Sequence, residues 1–131
     1  MKYIIDSDIL IYFLKNQGKV VKKMEKISDE NIFTTIINYT EILFGAYNSS
    51  MVEQNLKKVK SFLKTINILD FDKKAAENFA KLKAKLKREG NLISDMDLMI
   101  ASICTANKFV LVTNNVKHFN RIKKLKIENW I

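Results

Sequence analysis

The chain has no proline, one cysteine, one histidine and only three glycines in 131 residues. A lone Cys104 permits no disulfide within the chain, and its apolar surroundings read as those of a small core residue in a reducing compartment. No Cys/His spacing suited to zinc is present, and the few glycines form neither a phosphate-binding loop nor a nucleophile elbow. No apolar run approaches the roughly 20 residues that span a bilayer. Asp6 and Asp8 interrupt the apolar start, so no signal peptide is visible and a soluble cytoplasmic protein is expected. Acids are also scarce: 14 Asp and Glu face 23 Lys and Arg, a formal charge of +9. A basic surface of that size suits a polyanion, although lysine-rich helix faces also serve solubility alone.

The composition is otherwise that of an ordinary globular protein, 47% hydrophobic and 28% charged, and residues 1–131 are expected to form a single domain. Its organising stretch is Tyr3-Ile4-Ile5-Asp6-Ser7-Asp8-Ile9-Leu10-Ile11. An apolar run stops at a carboxylate and a second begins at once, which predicts a buried strand delivering Asp6 to its carboxyl end. Asp6 or Ser7 then caps a helix carrying Ile9, Leu10, Phe13 and Leu14 inward. Asn16-Gln17-Gly18 breaks that helix, and a second follows with Val20, Val21, Met24 and Ile27. Ile32–Thr35 predicts the second strand, and Ile36–Tyr47 a helix with Ile37, Thr40, Glu41, Phe44 and Gly45 near one side.

Asn48-Ser49-Ser50 ends that helix and offers a cap for the next, whose Val52, Leu56, Val59 and Leu63 recur at amphipathic spacing. A third strand is expected at Ile66–Leu69. Asp72 is the N-cap of a long helix with Ala75, Phe79, Leu82 and Leu86 on one face, and Gly90 is its stop. Ser94 opens an almost wholly apolar helix, Phe109–Val112 is the fourth strand, and Leu125–Ile127 a short last one. Strands alternating with helices imply parallel pairing and a three-layer α/β/α domain.

Ligands in such sheets bind beyond the carboxyl ends of the strands. Asp6 ends the first strand there, and Asn114 and Asn115 end the fourth. Glu41 stands among apolar residues on the helix after the second strand, where a carboxylate needs a partner. Asp95 and Asp97 begin the apolar helix; Asp97 also suits a capping box with Ser94, and Asp95 suits the helix dipole. Carboxylates gathered from separate segments repel one another unless a cation lies between them. Magnesium takes oxygen ligands, usually one or two carboxylates with waters, and promotes phosphodiester hydrolysis. Lys22-Lys23, Lys57-Lys58 and Lys83-Lys85-Lys87-Arg88 are solvated helix faces or tracks for an RNA backbone, and His118 reads as a surface residue.

The segments around Asp6, Thr40-Glu41-Ile42-Leu43-Phe44-Gly45, Gly90 through Ala101, Leu111 through Phe119, and the ending Leu125 through Trp130 together resemble the PIN-domain ribonucleases, specifically the VapC toxins of toxin–antitoxin pairs. The resemblance covers the whole chain. It implies a PIN-like parallel sheet of five strands between helices, and Mg²⁺-dependent endonucleolytic cleavage of RNA, with Mn²⁺ able to substitute. Asp6 and Asp97 would be the principal metal ligands. Glu41 would complete the acidic site, Asp95 would be an accessory carboxylate, and Thr113 would hold the turn carrying Asn115. Relatives often have an acid at the position of Asn115, and the amide here is a departure. His118 is another, standing where relatives often carry an acid. The resemblance also implies a homodimer and a cognate VapB-like antitoxin whose C-terminal segment blocks the site.

Two other readings compete. One is a PIN fold that binds RNA or partners without cutting. The other starts from Asp6-Ser7-Asp8, which is also similar to the aspartate pair of haloacid-dehalogenase-like phosphatases. In that family a Thr-Asn-like segment precedes the final acidic motif, whereas Thr113-Asn114 here follows Asp95 and Asp97.

Overall fold

Every residue from Met1 to Ile131 is described by the computed structural model. Five short strands, β1 (Tyr3–Ile5), β2 (Ile32–Thr35), β3 (Asn67–Leu69), β4 (Val110–Val112) and β5 (Ile127–Glu128), form one sheet. Its order is β3-β2-β1-β4-β5, and every neighbouring pair is parallel. Seven helices connect them: α1 (Ser7–Leu14), α2 (Gly18–Glu25), α3 (Ile36–Tyr47), α4 (Val52–Leu63), α5 (Lys73–Arg88), α6 (Asp95–Asn107) and α7 (Val116–Phe119).

The central strand explains the layers. Successive strand residues point to opposite faces, so Ile4 joins a core with Leu86, Leu98 and Ile103 of α5 and α6. Ile5 joins a second core with Ile9, Leu10, Val20 and Leu63 of α1, α2 and α4. Helix α3 reaches both, with Ile42 inside the second core and Ile37 packed against the first. The nearly continuous apolar sequence of α6 is accounted for by burial of Leu98, Ile100, Ala101, Ile103 and Cys104. Complete burial pushes the Cys104 thiol well above its usual range and makes it a packing residue.

Local signals set most boundaries. Asp72 accepts the Ala75 N–H at 2.9 Å to start α5. Gly90, at φ 66°, ends it. The Asn91 N–H reaches Leu86 O at 2.8 Å and the Gly90 N–H reaches Lys87 O at 3.1 Å, which satisfies carbonyls otherwise orphaned at the helix end.

Three expectations shift. Helix α4 starts without a side-chain cap from Ser49 or Ser50: Met51 is its N-cap, and the Ser49 hydroxyl donates backward to Ala46 O at 2.6 Å. Helix α3 buries Asn38, Ile42 and Ala46, whereas Phe44 is 67% exposed. The last strand begins two residues later than expected, because the Leu125 N–H closes a turn onto Ile122 O and the Leu125 side chain enters the core. No helix is long and apolar enough to cross a membrane.

The strand order reverses between β1 and β4. Chain to one side of this point runs through β2 and β3, and chain to the other side continues into β5. The carboxyl ends of β1 and β4 therefore flank the crevice where open parallel sheets receive ligands.

Candidate active site

Asp6 is fixed first by the backbone. Its N–H donates to Val112 O at 2.9 Å, extending the β1–β4 pairing by one residue. The side chain is then held on three sides. Oδ1 accepts from the Ser7 N–H and from Asn38 Nδ2, each at 2.8 Å, and Oδ2 accepts the Thr113 hydroxyl at 2.7 Å. Thr113 in turn accepts the Asn115 N–H at 2.9 Å, so the turn after β4 is built around the Asp6 carboxylate.

Helix α3 supplies the next layer. Thr35 and Asn38 form a reciprocal capping box at its start. That box orients Asn38, whose amide also donates to Ser7 Oγ at 2.9 Å and lies 3.5 Å from Glu41 Oε1. One turn along, Glu41 Oε1 accepts the Ser7 hydroxyl at 2.7 Å. Glu41 Oε2 has no protein donor.

Asp97 arrives from the start of α6. Ser94 accepts the Asp97 N–H at 3.2 Å. The carboxylate does not complete the capping box; its Oδ2 accepts from Asn115 Nδ2 at 3.3 Å. Asn115 Nδ2 also stands 3.1 Å from His118 Nδ1, and that nitrogen is 3.8 Å from Asp97 Oδ2.

Asp8 is a fourth carboxylate in this group. Its Oδ2 accepts the Asn114 N–H at 3.0 Å and its Oδ1 accepts the Ile9 N–H at 2.7 Å. The structure thus brings Asp6, Glu41, Asp97 and Asn115 to one crevice. It does not bring Asp95, expected as an accessory carboxylate. Positions two apart on a helix differ by about 200° around the axis, and Asp95 faces outward to accept Lys83 Nζ at 2.9 Å. Asp8, Ser7, Asn38 and His118 were not anticipated as members of the group.

The electrostatics follow from this crowding. Burial, then the Asp8 charge, raises the Asp6 carboxyl from 3.8 to about 7, against the lowering effect of the Thr113 and Ser7 hydrogen bonds. Asp8 is raised by burial and by Asp97, and Glu41 by burial, Asp97 and Asp8. No lysine or arginine forms an ion pair with Asp6, Asp8, Glu41 or Asp97. Clustered carboxylates whose protonation is favoured for want of a counter-charge fit a hard divalent cation. No three His, Cys, Asp or Glu side chains are arranged as a group that could itself hold a metal ion. An ion here would rest on one or two carboxylates with water completing its shell, the arrangement magnesium commonly takes.

Fold and site together define a parallel α/β domain with an acidic crevice at its topological switch point. The PIN domain family matches residues 3–125. The tRNA(fMet)-specific endonuclease VapC of Shigella flexneri is 30% identical over 130 residues, covering 99% of this chain and 98% of the relative. Ribonuclease VapC2 of Rickettsia felis is 35% identical over 132 residues, with 99% and 98% covered. The structure of DNA-bound VapBC from Salmonella typhimurium superimposes with a TM-score of 0.92 at 30% identity, over 100% of this chain and 99% of that one. VapBC2 of R. felis, bound to a DNA fragment from their promoter, also gives 0.92, at 33% identity over 100% of each chain. The chain belongs to the PIN-domain family, within its VapC group.

Proposed function

We propose that this protein is a Mg²⁺-dependent endoribonuclease of the cytoplasm, acting as the toxin of a toxin–antitoxin pair. The observation that carries the reading is the convergence of Asp6, Asp8, Glu41 and Asp97 on one crevice with no lysine or arginine paired to them. Full-length likeness to proteins named as ribonucleases supports RNA as the substrate class.

Asp6 and Asp97 would hold the ion. When bound, it would supply Lewis-acid stabilisation of phosphate charge and a more acidic water. Thr113, Asn38 and the Ser7 N–H fix the Asp6 carboxylate, so little reorganisation is needed as charge develops. Asn115 orients Asp97, adding a donor where an acid would have added charge. Glu41 is tied through Oε1 to Ser7, leaving Oε2 to accept a proton from a water in the crevice. Its raised pKa brings it nearer the operating pH of a general base. Asp95, paired with Lys83, takes no part.

The likeness to VapBC complexes supports a VapB-like antitoxin as partner. Exposed Phe44, Tyr47 and Met51 along and just after α3 provide apolar surface for that partner or for a homodimer.

The test is RNA cleavage by purified, antitoxin-free protein on total transfer and ribosomal RNA, in Mg²⁺, Mn²⁺ or EDTA. Discrete internal cuts are expected with either metal and none with EDTA. Absence of cutting across the panel, or cutting that persists in EDTA, would refute the proposal and favour a PIN fold that binds without cleaving.

A further inference from the structure

Away from the acidic crevice, the structure has a second concentration of charge, of the opposite sign. A cleft of about 530 Å³ lies between α5, the end of α6 and the segment leading into β5. Five lysines line it: Lys74, Lys81, Lys108, Lys124 and Lys126. A smaller cleft of about 160 Å³ shares Lys81, Leu82 and Lys124 with the first and adds Lys85, Lys123 and Arg121. The two clefts adjoin along these shared residues, and together they form a groove lined by eight cations and a single acid, Glu89.

The sequence builds one wall as a stripe. Lys74, Lys81 and Lys85 fall at i, i+7 and i+11 of α5, on one helical face about 16 Å long. Asn78 sits in the same stripe and is held by its donation to Thr105 Oγ1 at 3.1 Å. The opposite wall is the C-terminal segment, with Lys123, Lys124 and Lys126. Lys83, by contrast, is neutralised by Asp95 outside the groove. Cations packed along both walls repel one another, and an extended row of phosphates relieves that repulsion by releasing counterions.

The groove has a direction. Arg121 at one end donates to Leu92 O at 2.7 Å, in the loop that leads through the Ser94 cap into α6 and Asp97. That end of the groove adjoins the loop preceding Asp97.

We propose that this groove is a non-catalytic binding track for the phosphate backbone of single-stranded RNA flanking the cleaved bond. The proposal rests on the ribonuclease reading above. It explains how a crevice of carboxylates, which repels a polyanion, retains one: affinity comes from the basic groove and chemistry from the acidic site.

The test compares two triple variants for binding of a fluorescently labelled single-stranded RNA in EDTA, at salt concentrations from about 50 to 200 mM. One is Lys81→Ala/Lys85→Ala/Lys124→Ala; the other, Lys22→Ala/Lys57→Ala/Lys58→Ala, removes equal charge from α2 and α4. The groove variant should lose at least about tenfold in affinity, and its slope of log K against log salt should shrink by about 2, at roughly 0.7 per lost phosphate contact. The control should change by less than about threefold. Equal losses in both variants, or no RNA binding by the wild type, would overturn the proposal. Cleavage separates the two claims: a wild type that cuts RNA while the groove variant binds normally removes the groove alone. Binding confined to the groove, without metal-dependent cutting by the wild type, removes the nuclease reading and leaves the groove.

Discussion

Asp6→Asn should abolish metal-dependent RNA cleavage, lowering the single-turnover rate by at least about 10²–10³-fold, while the protein stays folded. The magnitude follows from losing one of two carboxylates that would hold an ion contributing several kcal/mol to the transition state. Folding survives because the amide matches the site's shape. Its oxygen takes the Ser7 and Asn38 donors, and its NH₂ faces Thr113 Oγ1, a hydroxyl able to accept. A rate within a few fold of wild type would remove Asp6 from the site. Loss of the cooperative thermal transition would instead show that Asp6 serves the fold.

The same carboxylate makes stability depend on pH in an unusual direction. Asp6 titrates at about 7 in the folded chain against 3.8 in its ordinary setting. Between those values the folded state retains a proton that the unfolded state has released. Stability therefore falls as pH rises through this window, is greatest below it and levels off above about 7. Asp8 and Glu41, also raised, act in the same sense. For Asp6 the expected loss is a few kcal/mol, on the order of 1.4 per pH unit over most of the window.

Urea unfolding in EDTA across the series should show this decline in wild type and a flatter profile in Asp6→Asn. A metal held by Asp6 would reverse the slope, because its binding would require the carboxylate; its apparent affinity should rise about tenfold per pH unit below the Asp6 transition. Parallel profiles for wild type and variant would show that Asp6 carries no such linkage.

Much of the site was legible because its anchors are also chain punctuation. A buried strand that stops at Asp6, a Thr-Asn-Asn turn after β4 and a serine opening an apolar helix are local signals. Their convergence required the sheet order, since β1 and β4 are neighbours in space but about 100 residues apart. Asp97 had two sequence readings, cap or ligand. The structure answers only the first: the Ser94 side chain caps the helix, and the Asp97 carboxylate, free of the cap, accepts from Asn115. Asp95 followed from adjacency in sequence, and the helical turn carries it the other way, to Lys83.

Asn38 was hidden for a different reason. It reads as one polar residue in a helix, and only the Thr35-x-x-Asn38 spacing hints at the capping box that aims its amide at Asp6. Asp8 entered the sequence reading only as the second of a phosphatase-like aspartate pair, and His118 only as a lone imidazole where relatives often carry an acid. The basic groove left the weakest trace. Its walls are α5 and the last turn before β5, brought side by side only by the fold.

The most direct test of the site is a Mn²⁺ titration, followed by electron paramagnetic resonance, into wild type, Asp6→Asn, Asp97→Asn and Asp95→Asn at a pH above the Asp6 transition. Wild type and Asp95→Asn should bind alike, and Asp6→Asn and Asp97→Asn should each weaken binding by at least about tenfold. Indistinguishable binding by all four proteins, or no binding by wild type, would contradict a metal centre built on Asp6 and Asp97.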